Sequence, residues 1–367
     1  YEIQRLTTDS LILSVIVVII FTVFGLLTID PLFRKLGADP EMIPLIRQYM
    51  EIWYLGLVFL IVPIMGNNAL RAAGNTVFPS IIMFVAFVTN VILDPIMIFG
   101  LFGFPRMELR GAALATLIAR ISTLVVSLYL LYAKEKMLTL QPPKFKELIN
   151  SWKSILHVGL PSVATNLINP LAISITTAMV ASFGVVAVAA YGVVSRIEMF
   201  VVMILAALSS VIGPFVGQNW GCGKYERVDK ALNVSFIFCT LWGLFSAVVL
   251  ILFGEWIAGL FTDNPEVISI AKLYFLILPV CYGALGLVMV STSSFNSMGM
   301  PYKSTAVIVI RTLVFYLPLA YLGKITAGLP GIFFAASFAN IVTGLGFYYW
   351  NKKTCLHPAC KVKQKNS

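Results

Sequence analysis

The stretch Pro40-Glu41-Met42-Ile43-Pro44-Leu45-Ile46-Arg47-Gln48-Tyr49, with Gly74 beyond it, returns as Pro265-Glu266-Val267-Ile268-Ser269-Ile270-Ala271-Lys272-Leu273-Tyr274, with Gly299 beyond it. Pro40, Glu41, Ile43, Tyr49 and Gly74 thus recur at +225, and Arg47 is answered by Lys272. Further on the offset becomes +220, where Gly111, Ala115, Ala119 and Ile121 recur as Gly331, Ala335, Ala339 and Ile341; the five-residue change falls in one loop. Self-similarity at this period means two homologous halves of one bundle.

The medium of that bundle is lipid. Hydrophobic residues make up 59% of the 367 and charged residues 11%. Apolar runs of about 17 residues or more follow one another with short polar gaps, the pattern of serial membrane spans. Ten are predicted, near 11–28, 52–69, 79–101, 111–132, 158–183, 185–213, 231–253, 273–291, 305–323 and 331–350. Backbone polar groups must be satisfied inside lipid, and Gly, Pro and Ala scattered through runs of this length fit helices rather than barrel strands. The fold class is therefore all-α integral membrane. The chain divides into a first lobe, 1–133, a linker, 134–157, with Pro142 and Pro143, a second lobe, 158–350, and a basic tail, 351–367.

The first four spans match the seventh to tenth, an even displacement, so both halves point the same way. The fifth and sixth then have no counterpart unless two helices precede Tyr1. Tyr225-Glu226, just before the seventh span, matches Tyr1-Glu2, and about 75 residues separate Asn150 from Tyr225. The expectation is a twelve-helix, two-lobe fold lacking its first two helices here, with poor activity of residues 1–367 alone; an asymmetric ten-helix protein is the alternative.

Orientation follows from Lys and Arg. The side holding the N-terminus carries sixteen, among them Arg5, Arg71, five lysines from Lys134 to Lys153 and five after Asn351; the other side carries seven. By the positive-inside rule both termini are cytoplasmic in a multi-pass protein of the cytoplasmic membrane, and the +10 net charge reflects topology and anionic lipid rather than nucleic acid.

Soluble-enzyme chemistry finds little. With only His157 and His357, no nucleophile, base and orienting group can be assembled, and there is no Walker loop. Five cysteines, mostly within spans or the tail, suggest no disulfide framework. Cys355, His357 and Cys360 invite a metal reading, but a mobile lysine-rich tail accounts for them. No enzyme activity, cofactor or structural metal is expected, and the chain reads as a monomer.

Polar residues at membrane depth are informative, because they are costly in hydrocarbon and normally face a cavity or a partner. Asp94 lies in Asn90-Val91-Ile92-Leu93-Asp94-Pro95, where i, i+4 spacing puts Asn90 and Asp94 on one helix face. Pro95 has no N–H, so the Val91 carbonyl loses its helical partner. A carboxylate, an amide oxygen and a freed carbonyl suit a hard cation such as Na+. The same carboxylate, desolvated, could carry a proton; a structural helix-end Asp is the third reading. Asn67 and Asn68 at the end of the second span and Thr116 in the fourth are ordinary cap and back-bonding residues taken singly, and gain weight by convergence with Asp94.

Arg120, Arg196, Glu198 and Arg311 are the other deep charges. Arg196 and Glu198, two apart, point to different faces. Glu198 could line a path for cationic compounds, Arg120 snorkel and Arg311 form an interhelical ion pair. Thr165, Asn166 and Asn169 add polarity between Pro161 and Pro170, where kinks serve bending or packing.

Over its whole length the chain resembles the multidrug and toxic-compound extrusion (MATE) family of secondary transporters. The resemblance rests on Leu36-Gly37-Ala38-Asp39-Pro40-Glu41, Asn68-Ala-Leu-Arg71-Ala-Ala-Gly74-Asn75, Asn90 to Pro95, Gly111-Ala-Ala-Leu-Ala-Thr116, Gly159-Leu-Pro161-Ser, Gly192-Val-Val-Ser-Arg196-Ile-Glu198 and Gly213-Pro-Phe-Val-Gly-Gln218-Asn219. It implies twelve helices in two six-helix lobes, and antiport: Na+ or H+ runs inward while an organic, often cationic and amphipathic compound is expelled. In the family, a cation site in the N-terminal lobe uses an acid on the first helix with Asn and Asp on the fifth. Asn90 and Asp94 match that pair, Asn68 the fourth-helix amide and Thr116 the sixth-helix hydroxyl; the first-helix acid has no match. Other members use acids on the seventh and tenth helices, but Leu160 to Phe183 and Leu273 to Val290 contain neither Asp nor Glu. Coupling through the N-terminal lobe follows, with Glu198, Arg196, Asn166 and Asn169 as substrate-cleft candidates. A lipid-linked sugar flippase of the wider superfamily, marked by a cleft with several arginines facing a pyrophosphate, is the alternative. A non-transporting membrane protein would need Asp-rich or paired-His motifs, and none is visible.

Overall fold

The computed structural model describes residues 2–35, 41–75, 77–139, 141 and 145–365, and these contain helices and turns but no strand. The α-helices are α1 (Glu2–Lys35), α2 (Ile43–Ala72), α3 (Val77–Phe99), α4 (Glu108–Tyr129), α5 (Phe145–Ala181), α6 (Val185–Gly221), α7 (Tyr225–Gly259), α8 (Pro265–Ile277), α9 (Tyr282–Ser297), α10 (Pro301–Val309), α11 (Leu317–Ala327) and α12 (Leu329–Lys365). Among the described residues nine segments are long and apolar enough to cross a membrane. Two of them are interrupted: α8 and α9 by a 3-10 turn at Pro279–Cys281, α10 and α11 by a π-helical turn at Ile310–Tyr316. The predicted span at 158–183 falls on α5, whose apolar part, Asn166–Ala181, is shorter than the other nine.

Phe84, Phe87, Ile237, Leu241 and Leu252 stand at 59 to 68% exposure. On a water-soluble protein such bands would be association surfaces; on these helices they are where lipid lies.

The chain forms two compact units, Tyr1–Leu156 and His157–Ser367. In the first, Gly111 opens α4 against the Met97 carbonyl of α3, so close that a Cβ would collide with it. At the far end Phe78 and Ile82 of α3 pack with Val126, Leu130 and Leu131. These contacts make α3 and α4 antiparallel. Gly56 of α2 meets the Arg120 side chain and Gly66 meets Ser127 and Leu131, so α2 and α4 run parallel.

The segment after α4 is stitched to the head of α1. Gln4 Nε2 donates to the Lys136 carbonyl (2.6 Å), the Thr139 amide to Thr8 Oγ1 (3.1 Å), Arg5 to the Gln141 carbonyl (3.1 Å) and Trp152 Nε1 to the Asp9 carbonyl (3.0 Å). Asp9, fully buried, is held by Arg5 at 3.1 Å. The described residues of the segment expected to link two lobes thus belong to the first unit up to Leu156.

In the second unit α6 and α9 approach through small residues. Ser209 Oγ donates to the Met289 carbonyl (3.0 Å), Ser293 Oγ returns a bond to the Ser209 carbonyl (2.7 Å), and Gly213 faces Ser293. Side chains this small let backbones meet where lipid supplies no hydrophobic drive. Phe275, Tyr282, Ile332 and Phe333 fill the core beside them.

The sequence repeat acquires a physical meaning at its glycines. Gly74 (φ 91°) and Gly299 (φ 75°) follow the ends of α2 and α9 in the left-handed region. In both, the next amide reaches back five residues: Asn75 to the Leu70 carbonyl and Met300 to that of Phe295, each 2.9 Å. A side chain is strained at that φ, so the helix stop keeps its glycine. Gly331 likewise repeats Gly111: it sits directly on the Gly323 backbone at the α11–α12 contact.

Candidate functional site

Asn75 starts α3, its Oδ1 accepting from the amides of Val77 and Phe78, both at 3.1 Å. Four turns on, Asn90 and Asp94 are half-buried. Each has a buried Oδ1 without a hydrogen-bond partner among the described residues. Pro95 lies inside the helix and supplies no amide for the Val91 carbonyl. One face of α3 therefore presents unmatched oxygens over one turn.

Levels along the helices decide which residues can join them. Because Gly111 is seated on Met97 and the pair is antiparallel, Asp94 lies level with Leu114 and Ala115 and Asn90 with Ile118. Thr116 falls between them in height. Its hydroxyl donates to the Ala112 carbonyl at 3.0 Å, which leaves its oxygen lone pairs as acceptors.

Asn68 is not at that level. Gly66 packs on Ser127, so Asn67 and Asn68 stand near Leu128 and Tyr129, about 20 Å from Thr116 at 1.5 Å per residue. Asn68 is exposed, whereas Asn67 is buried with an Oδ1 that has no partner among the described residues. The expected convergence of Asn68 with Asp94 is corrected accordingly. Hydropathy marked where α2 loses its apolar run but not where that end sits against its neighbours. Arg120 also departs from expectation: rather than snorkelling it donates to the Trp53 carbonyl (3.3 Å) and lies 5.3 Å from the Trp53 ring centre.

In the second unit a cavity of about 380 Å³ lies among α5, α6, α8, α9, α12 and the π-helical turn. Glu198 of α6 points into it, and the Tyr274 hydroxyl of α8 donates to Glu198 Oε2 at 2.6 Å. Arg311 enters from the π-helical turn, its Nε buried and without a partner among the described residues. Thr176 donates to the Ala172 carbonyl at 2.8 Å, so in its 2.7 Å contact with Tyr316 the phenol is the donor. Asn340 Nδ2 donates to Cys281 Sγ at 3.3 Å, leaving its oxygen toward other partners. A π turn makes room for a residue beyond the α-helical count and is frequent at functional sites.

Of the four cleft candidates, Glu198 and Asn169 line this cavity. Arg196 and Asn166 are exposed and do not line it; two residues apart on one helix, Glu198 faces the cavity and Arg196 does not. Arg311, Tyr191, Tyr274 and Tyr316 were not assigned to a binding site from sequence. Arg311 was taken for an interhelical ion pair, yet among the described residues none joins it to an acid. Thr165, His357 and Cys360 lie outside the described side chains, as do Leu36 to Pro40, and among the described residues no cluster of metal-ligating side chains occurs.

The MatE family profile matches residues 1–96 and 161–322. A FAD transporter of Shewanella oneidensis is 36% identical over 347 residues, covering 95% of this chain and 77% of that protein. A probable multidrug resistance protein NorM of Thermotoga maritima is 28% identical over 278 residues, 74% of this chain and 59% of that one. A mutant of the Vibrio cholerae MATE transporter VcmN superposes with a TM-score of 0.89 at 28% identity, covering 96% of this chain and 79% of that structure. Its helices, its membrane-depth polar residues and these likenesses agree, and the chain belongs to the MatE family of membrane transporters.

Proposed function

We propose that this chain exports organic compounds across the cytoplasmic membrane in exchange for Na+ or H+, by alternating access and with both termini cytoplasmic. The observation that carries the reading is the pair of unpartnered buried oxygens on Asn90 and Asp94 beside the Pro95 interruption. Buried polar atoms are almost always satisfied, and a cation or proton satisfies these. Neutralising Asp94 biases α3 between two shapes; a compound that favours one of them is then linked to the ion. Thr116 is at the right height to assist, and Asn68 has no part. Relatives named as multidrug resistance proteins support the substrate class.

A second substrate reading is a flavin dinucleotide. It is supported by the 36% identity with the FAD transporter and by the aromatic cavity with one arginine and one carboxylate in the second unit. A single arginine there gives a lipid-linked pyrophosphate little to hold, which speaks against the flippase. The test is efflux from proteoliposomes loaded with a cationic dye or with FAD under an imposed Na+ or H+ gradient. Gradient-driven efflux supports the reading, and efflux indifferent to both gradients defeats the coupling.

A further inference from the structure

We propose that the cavity of the second unit binds the three-ring head of a flavin by its dione edge, Arg311 donating to a ring carbonyl and Glu198 accepting the ring N–H beside it. The inference rests on the flavin reading above and assigns it a site.

The cavity pairs a cation and an anion that do not satisfy one another. Among the described residues Arg311 keeps an unpartnered buried Nε, and Glu198 accepts through Oε2 from Tyr274. A guanidinium offers donors in a rigid fork and a carboxylate offers only acceptors. The ligand edge that satisfies both carries a carbonyl next to an N–H, as an imide does. A simple organic cation would meet Glu198 well and Arg311 badly, because like charge in a poorly solvated enclosure is unfavourable. An anion such as phosphate has the opposite fault.

The walls point the same way. Tyr191, Tyr316 and Phe333 supply aromatic faces, and Leu278, Leu285 and Met289 supply apolar surface. Planar heterocycles stack or pack edge-on against such rings. Asn169 and Asn340 add amides for further ring heteroatoms. The volume of about 380 Å³ is at the small end of ligand sites. It holds a tricyclic ring but not a whole dinucleotide, so the ring and not the adenylate is what the cavity recognises.

The experiment uses the full chain purified in detergent, titrated with riboflavin, FMN and FAD by quenching of flavin fluorescence. All three should bind with affinities within about tenfold of one another. Riboflavin methylated at the imide nitrogen should bind at least about tenfold more weakly, since it leaves the Glu198 acceptor facing a methyl group. Glu198→Gln and Arg311→Gln should each weaken riboflavin by about tenfold or more, with Arg311→Lys in between and Arg196→Gln unchanged. Binding of the methylated flavin at full affinity overturns the assignment even if the variants do not fold. Unchanged FAD export and binding in folded Glu198→Gln and Arg311→Gln also overturn it, while leaving the flavin reading intact. A wild-type chain that exports a cationic dye but neither binds nor exports any flavin removes both.

Discussion

Tyr274 donates its hydroxyl proton to Glu198 Oε2 at 2.6 Å, joining α8 to α6 across 76 residues of chain. Tyr274 is also the residue that the internal repeat sets against Tyr49, so a position kept in both halves serves, in the second, to hold a membrane-buried carboxylate in place. Tyr274→Phe keeps the ring packing against Phe333 and removes one hydrogen bond to an acidic group. The expected loss is about 1–3 kcal/mol of stability. Thermal unfolding followed by a thiol-reactive dye reads it, because Cys239, Cys281 and Cys355 are buried and free. An unchanged unfolding temperature would show that Glu198 needs no such anchor.

Asp94→Asn should abolish ion-driven export while the protein still inserts and purifies normally, since it deletes the charge neutralised in each cycle. Asn90→Ala should reduce coupling less, because one neutral ligand is lost. Asn68→Ala should leave coupling unchanged, given its distance along α2. Gradient-driven dye efflux in proteoliposomes ranks the three; wild-type efflux by Asp94→Asn would exclude Asp94 and make Glu198 the next acid to examine.

Gly111→Ala places a methyl group into the Met97 carbonyl, where the partner is backbone and cannot swing aside. The expected cost is about 1–3 kcal/mol. Gly192→Ala is the control: nothing lies within 4 Å of the added carbon, and replacing a helix-interior glycine there should stabilise by about 0.5–1 kcal/mol. Unfolding temperatures moving in the same direction for both would contradict the packing described.

Asp9→Ala leaves Arg5 buried without its counter-charge. Removing one partner of a buried pair costs about 3–5 kcal/mol, and the segment stitched to α1 should loosen with it. Limited trypsin digestion ought to show faster cleavage between Lys134 and Lys153 in the variant, and equal rates would mean that the segment is held by other contacts.

The spans were legible because lipid demands long apolar runs, and the duplication was legible because Gly74 and Gly299 hold a left-handed backbone that side chains disfavour while Gly111 and Gly331 sit where a Cβ would meet a neighbouring backbone. That Glu198 and Arg196 face different ways could be read from their two-residue offset, though not which of them faces inward. The height of Asn68 could not, since it depends on where Gly66 meets Ser127 on another helix. The burial of Asp9 is hidden for a similar reason: its partner Arg5 is local, but the Trp152 that bonds its carbonyl is 143 residues away. Arg311 was visible as a deep charge, yet nothing in Ile310-Arg311-Thr312-Leu313-Val314-Phe315-Tyr316 announces a π turn, which arises from packing.

That π turn has a mechanical consequence. Each residue of an α-helix advances the chain by about 100°. If Ile310–Tyr316 tightened to α-helical winding, α11 would rotate by about that angle against α10, carrying Tyr316 away from Thr176. The 2.7 Å contact between Tyr316 and Thr176 thus acts as a catch on a rotation. A ligand held by Arg311 would keep the catch closed, and its departure would leave the turn free to tighten by that one step.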